Sequence, residues 1–110
     1  MKIVKKNRKF KVGFKKSYLT ITHTADVKLK NDELINFKFE KYNYNLVKKN
    51  WGFYATPSLN RRLKKEGFKS ALIENSFSDT YIILVHKLKM NKFKKYCKDH
   101  KQKIVKWLSD

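Results

Sequence analysis

Residues 51–68 hold the side chains that are best suited to bind an anion. The only proline of the chain, Pro57, follows Thr56, and this order is typical of the start of a helix. The first N–H groups of a helix attract negative charge, and two of the three arginines follow closely. The sequence therefore predicts a phosphate site at a strand-to-helix junction, formed by Thr56, Ser58, Asn60, Arg61 and Arg62.

Aromatic residues just before this junction can supply a flat surface for a base or a sugar. Trp51 and Tyr54 lie near lysines at positions 41, 48 and 49. Bases stack on aromatic rings while lysines attract the phosphates, so this mixture suits single-stranded nucleic acid. The alternative is structural: the aromatic residues belong to the core, Thr56 and Ser58 only cap the helix, and the arginines form a solvated face.

Other groups of reactive side chains give little support for an enzyme. His23 and Asp26 are three residues apart in a strand pattern, which predicts opposite faces and no pairing between them. Cys97 and His100 are one helical turn apart, but no second pair of metal ligands is evident, so Cys97 is interpreted as a core residue. Glycine-rich phosphate loops and serine-nucleophile motifs are absent from the sequence. The sequence therefore predicts no catalytic residues, no metal and no cofactor.

The charge of the chain favours a polyanionic partner. The 110 residues include 28 basic and 9 acidic side chains, which gives a formal net charge of +19. All but three of the basic residues are lysines, which act as mobile point charges and favour loose attraction over bidentate recognition. The alternative is that an AT-rich genome has enriched lysine along with Asn, Ile, Phe and Tyr.

These observations favour a non-enzymatic domain that binds nucleic acid, either RNA or single strands, through a lysine-rich surface with exposed aromatic residues. Two alternatives stay open: an accessory or structural subunit that docks on an acidic protein, and a small enzyme or binding protein for a phosphorylated or nucleotide-linked ligand. The single cysteine fits a reducing compartment, and the first residues lack the apolar segment of a secretory signal. The longest apolar run, residues 81–85, is too short to span a bilayer, so we expect a cytoplasmic protein.

Alternating apolar and polar residues predict an N-terminal β-meander. Phe10, Val12 and Phe14 alternate with lysines and predict a first strand that ends at a turn over Lys16 and Ser17. Further strands are predicted over residues 19–29 and 35–39. Residues 1–8 are expected to form either a flexible basic arm or a first strand that includes Ile3 and Val4.

The rest of the chain predicts an α+β fold in a single basic domain of residues 1–110. Strands are predicted over residues 42–47, 51–55, 68–74 and 80–86, and helices over residues 57–66 and 91–100. Gly67 is expected to end the first helix in a left-handed conformation. Residues 103–108 either continue the second helix or form a last strand. The strand alternative, which we favour, gives residues 43–108 the β-α-β-β-α-β order of a ferredoxin-like domain, an antiparallel sheet with two helices.

Overall fold

Strands dominate the computed structural model, which describes residues 1–13 and 18–109. The strands are β1 (Lys2–Val12), β2 (Leu19–Lys28), β3 (Leu34–Phe39), β4 (Tyr42–Lys49), β5 (Gly52–Ala55), β6 (Phe68–Glu74), β7 (Thr80–His86) and β8 (Lys103–Trp107). The α-helices are α1 (Arg62–Lys65) and α2 (Met90–Asp99), and a 3₁₀ turn, Lys87–Lys89, leads into α2. The predicted α+β class is confirmed. No helix of the described residues is long and apolar enough to cross a membrane.

The strands form three separate sheets, so the ferredoxin-like order is not confirmed. The sheets have the orders β1-β2, β3-β4-β5 and β7-β6-β8. The predicted N-terminal meander is wrong at its second step, because β3 pairs with β4 and not with β2. In the last sheet β6 is central and β8 pairs with it, whereas β4 belongs to another sheet. The alternation of apolar and polar residues identified the strands, but it does not tell which strands pair with each other.

Two of the alternatives left open by the sequence are resolved in favour of strands. Residues 2–12 form β1 instead of a basic arm, and residues 103–107 form β8 instead of a continued helix. The predicted strand end at Phe14 and Lys15, and the turn at Lys16 and Ser17, lie outside the described residues.

The chain divides into two compact units. The first contains residues 1–36 and 45–56, and the second contains residues 37–44 and 57–110. The prediction that the whole chain is one domain stays a prediction. Among the described residues of the first unit, the buried apolar core residue is Val47, on β4. Most of the buried apolar side chains therefore belong to the second unit.

The core of the second unit lies between its three-stranded sheet and α2. Ile73, Val85, Phe93 and Cys97 form this core, and partly buried apolar residues surround it. Phe93 lies edge-on to Trp107, with 6.2 Å between the ring centroids. Burial raises the pKa of the Cys97 thiol, so the thiolate is disfavoured at neutral pH. The interpretation of Cys97 as a core residue is confirmed.

A second cluster of the same unit is built around His86, which is only 3% exposed. Its ring lies 4.9 Å from that of Phe68 and 4.1 Å from that of Tyr42, measured between centroids. Nδ1 accepts a hydrogen bond from the Leu88 N–H at 3.2 Å, so Nε2 carries the proton and donates to the Glu66 carbonyl at 2.9 Å. Both ring nitrogens are therefore satisfied by the neutral imidazole.

The first helix is much shorter than predicted. It spans Arg62–Lys65 instead of residues 57–66, and its N-cap is Arg61, without a side-chain capping bond. Leu63 is buried, but Leu59, the other apolar residue of the predicted stripe, is 44% exposed. Because a short helix depends on tertiary packing, a single buried side chain, Leu63, stabilises little more than one helical turn. Gly67 does end the helix with a left-handed φ of +84°, as predicted.

We predict that Gly67→Ala lowers the free energy of unfolding more than Gly52→Ala does. Both glycines have positive φ, so alanine is strained at either position. A Cβ at Gly67 would also lie 2.6 Å from the Nε2 of His86, while one at Gly52 meets nothing within 4 Å. The extra loss at Gly67 should be about 1–2 kcal/mol, because His86 must give up its buried hydrogen bond. Urea unfolding of both variants measures this difference, and equal losses would contradict the role given to His86.

Candidate nucleic-acid interface

The first unit contains a long two-stranded antiparallel sheet, β1 and β2, which we call the basic ribbon. Its register runs from Lys2 opposite Lys28 to Val12 opposite Leu19. The register shifts between Lys5 and Arg8, where a β-bulge adds a residue to β1. The bulge exchanges the two faces of β1, so residues 3 and 5 share a face with residues 8, 10 and 12.

The basic side chains of the ribbon are all exposed. The one carboxylate in the two strands is Asp26, so the basic side chains strongly outnumber the acidic ones. Asp26 lies 3.7 Å from the Nζ of Lys6. The guanidinium of Arg8 lies 4.9 Å from the centre of the Phe10 ring. Lysines on an edge strand discourage pairing with other strands, and here they also create a concentrated positive field. The exposed basic residues are Lys2, Lys5, Lys6, Arg8, Lys9, Lys11 and Lys28.

The two faces of the ribbon differ in chemistry. One face presents lysines and threonines, with Lys9 opposite Thr22 and Lys11 opposite Thr20. The other face is more apolar, with Phe10 opposite Ile21. Phe10 is 36% exposed and Ile21 is 43% exposed, so this apolar face is only partly covered. The ribbon therefore offers both cationic groups and apolar surface to a partner.

His23 and Asp26 do contact each other, so the prediction that they could not pair is wrong. His23 Nε2 lies 2.6 Å from Asp26 Oδ1. These residues lie beside the β1 bulge, and a bulge increases the local twist of a ribbon. We attribute the contact to this twist, which lets side chains from the two faces meet at the strand edge. Both residues are solvent-accessible, and among the described residues no group of three possible metal ligands is found.

The hairpin of β4 and β5 exposes three aromatic residues, which we call the aromatic hairpin: Trp51, Phe53 and Tyr54. Trp51 is 68% exposed and Phe53 is 62% exposed. The rings of Trp51 and Tyr54 are nearly parallel, at 24°, with centroids 6.4 Å apart. Trp51 and Tyr54, the two predicted stacking residues, are therefore exposed, and their role in stacking stays a prediction.

The lysines beside the aromatic hairpin have polar partners in its neighbouring loop. Lys48 Nζ donates to Asn31 Oδ1 at 2.6 Å, and Lys49 Nζ donates to Asp32 Oδ1. The hydrogen bond to Asp32 raises the pKa of Lys49, so this side chain stays protonated well above neutral pH. The ion pair of Lys49 with Asp32 lies near the surface, where ion pairs are weak, so Lys49 can exchange this partner for a phosphate.

The predicted phosphate site does not lie at the start of a helix. Thr56 lies in the first unit, where its hydroxyl donates to Asn45 Oδ1 at 2.7 Å instead of capping a helix. In the second unit, Ser58 Oγ accepts the Arg62 N–H at 3.2 Å, and the Ser58 carbonyl accepts the Leu63 N–H at 3.0 Å. The loop thus uses its own polar groups to form the turn before α1. Asn60, Arg61 and Arg62 are exposed in this loop and at the start of α1.

The sequence left open whether residues 2–8 belong to β1, and these residues give the basic ribbon most of its basic side chains. The many basic side chains of residues 1–8 suggested a flexible arm as readily as a strand, and the alternation of β1 is also broken near Lys6 and Asn7. That break is the bulge, and the clean alternation of the partner strand over residues 19–28 is the signal that could have located it.

Comparisons of the chain with protein-family models, with curated proteins and with solved structures gave no match.

Proposed function

We propose that this protein is a non-enzymatic binding domain for RNA or single-stranded nucleic acid. The observation that supports this most directly is that the first unit contains both the basic ribbon and the exposed rings of the aromatic hairpin. Lysines neutralise the phosphate backbone, and aromatic faces stack on unpaired bases without reading their sequence. The lone Cys97 and the high charge are consistent with a cytoplasmic location, which is part of the same proposal.

The aromatic hairpin supplies the preference for single strands. Trp51 stands at the tip of the hairpin, in the turn between β4 and β5, with most of its surface in solvent. A base inside a duplex is already stacked on both faces, whereas an unpaired base gains a new contact by stacking on the indole. The ribbon provides attraction that does not depend on the base, because its ammonium groups act on the backbone charge alone.

We retain a separate phosphate contact at Arg61 and Arg62 as a second part of the proposal. It rests on two adjacent, exposed guanidinium groups, each of which can hold a phosphate in a bidentate manner. The four-residue α1 adds no helix-dipole attraction to this contact. Ser58 and Asn60 remain candidate donors in the same loop.

Binding to a labelled single-stranded oligonucleotide should weaken strongly as salt is added. The logarithm of the association constant should fall linearly with the logarithm of the salt concentration, by about 0.7 for each phosphate contacted. Fluorescence anisotropy over a salt series measures this slope, with a duplex of the same length as the comparison. An affinity that is equal at low and physiological salt would contradict the proposal and favour docking on an acidic protein surface through apolar contacts.

Trp51→Ala should reduce affinity for the single strand by about tenfold, since stacking contributes about 1–3 kcal/mol per base. The matched control is Phe77→Ala, because Phe77 is 71% exposed but lies in the loop between β6 and β7 of the second unit. The salt slope should stay unchanged in both variants, because neither removes a charge. Equal effects of the two substitutions would show that the aromatic hairpin does not stack on the ligand.

The double variant Arg61→Ala with Arg62→Ala should weaken binding more than Lys94→Ala with Lys98→Ala. Both pairs remove two positive charges from exposed positions, and Lys94 and Lys98 lie on α2. Loss of a bidentate phosphate contact should cost roughly a further tenfold in affinity and lower the salt slope by about one contact. If the two double variants bind equally well, the loop before α1 does not hold a phosphate and the attraction is diffuse.

A further inference from the structure

The outer edge of the last sheet differs from the rest of the protein in charge. Residues 70–86 form the longest stretch of the chain without lysine or arginine, and they carry two acidic residues, Glu74 and Asp79. This stretch contains most of β6 and all of β7. In a chain of net charge +19, it is the part where a second copy can approach with the least repulsion.

Strand β7 is an edge strand, because the sheet order is β7-β6-β8 and β7 has a described neighbour on one side only. The strand contains no lysine, no proline and no bulge in its pairing with β6, which are the usual features that prevent edge pairing. Its exposed portion begins at Thr80, and it includes Tyr81 at 51% exposure and Ile82 at 75% exposure. An edge of this kind is a template for another strand.

The apolar side chains of this edge point to both faces of the sheet. Val85 packs in the core beside α2, and Ile83 packs against the same cluster. Ile82 has the opposite parity and stands opposite Leu72 of β6, on the face away from α2. Leu72 and Leu84 are only half-buried there, so they extend the exposed apolar surface that Ile82 begins.

The charges at the two ends of β7 are complementary when the strand pairs with itself in an antiparallel manner. Asp79 directly precedes the strand, and Lys87 directly follows it. Both side chains are exposed. A twofold axis through Ile83 places Asp79 of each copy opposite Lys87 of the other, so the two ends of the interface attract each other. A parallel arrangement would instead place like charges together.

We propose that the protein forms a homodimer by antiparallel pairing of the β7 edges of two copies. The pairing joins the two last sheets into one sheet of six strands and covers the Ile82 and Leu84 side chains of both copies. Backbone hydrogen bonds supply the pairing, and cross-strand apolar contacts add to it. The dimer is independent of nucleic acid, because β7 itself carries no lysine or arginine and the basic ribbon takes no part in the pairing.

Sedimentation velocity over a concentration series tests the dimer, with protein that high-salt washing has freed of nucleic acid. The wild-type chain should dimerise reversibly. Salt at about 0.5 M screens exposed charges beyond a few ångströms, but it should leave the dimer intact, because most of the interface is not ionic. A wild-type chain that stays monomeric at all concentrations would overturn the proposal.

The decisive variant is Ile82→Lys, which places two like charges and no apolar contact at the centre of the interface. It should weaken dimerisation by about 100-fold or more. The matched control is Val105→Lys, because Val105 is 52% exposed on β8, the opposite edge of the same sheet. Val105→Lys should dimerise like the wild type. Circular dichroism and thermal unfolding of both variants separate a lost interface from a lost fold, and a dimer that survives Ile82→Lys would overturn the proposal.

Charge exchange tests the antiparallel orientation. Asp79→Lys alone and Lys87→Asp alone should each weaken the dimer, by about 3- to 10-fold, since each places like charges at both ends of the interface. The double variant should recover most of the wild-type affinity, because the attraction is restored with the signs reversed. If the double variant is weaker than either single one, the two residues do not face each other and the antiparallel model is wrong.

Discussion

The distribution of lysine decides where this chain can form a core. An ammonium group is rarely buried without a partner, so a strand with a lysine at every second or third residue can bury little. Residues 70–86 lack lysine and arginine, and they supply most of the central strand β6 and all of its neighbour β7. Among the described residues, seven of the eight apolar side chains of the buried core belong to the second unit, with Val47 as the exception. The second unit therefore has a core with a helix packed on it, while the first unit relies on strand pairing and local polar contacts.

The same constraint explains why the first unit exposes so much apolar surface. Isolated two-stranded sheets are marginal in water, because neither face is covered. In β1, lysines flank nearly every apolar residue, so the strand cannot enter a core without burying charge. Its apolar side chains are left partly exposed beside the lysines that keep it hydrated. A surface of this composition, cationic with apolar and aromatic groups between the charges, is also what a flexible polyanion with unpaired bases requires.

Sequence patterns predicted local structure well and strand pairing poorly. The alternation of β2, the apolar runs of β6 and β7, and the helical spacing of Phe93 and Cys97 each placed an element close to its observed bounds. The ferredoxin-like order and the meander were inferred from element order alone, and pairing depends on contacts distant in sequence. The helix at residues 57–66 was overestimated for a different reason: its capping signals were present, but only Leu63 found a buried position. Capping residues refine the end of a helix that packing has already stabilised.

For the candidate site, the sequence predicted the chemistry of the surface better than its geometry. Trp51 and Tyr54 are exposed, as their position near several lysines in the sequence suggested, whereas the role of Thr56 depended on a helix that begins later than the proline suggests. Of the two proposed interactions, nucleic-acid binding uses the lysine-rich basic ribbon, whereas dimerisation uses β7, a strand without lysine. Added salt screens the lysines, which weakens attraction to phosphates and at the same time reduces repulsion between two positively charged copies. Association through the basic ribbon should therefore weaken strongly as salt is added, whereas association through β7 should depend on salt much less, because backbone hydrogen bonds and apolar contacts supply most of it.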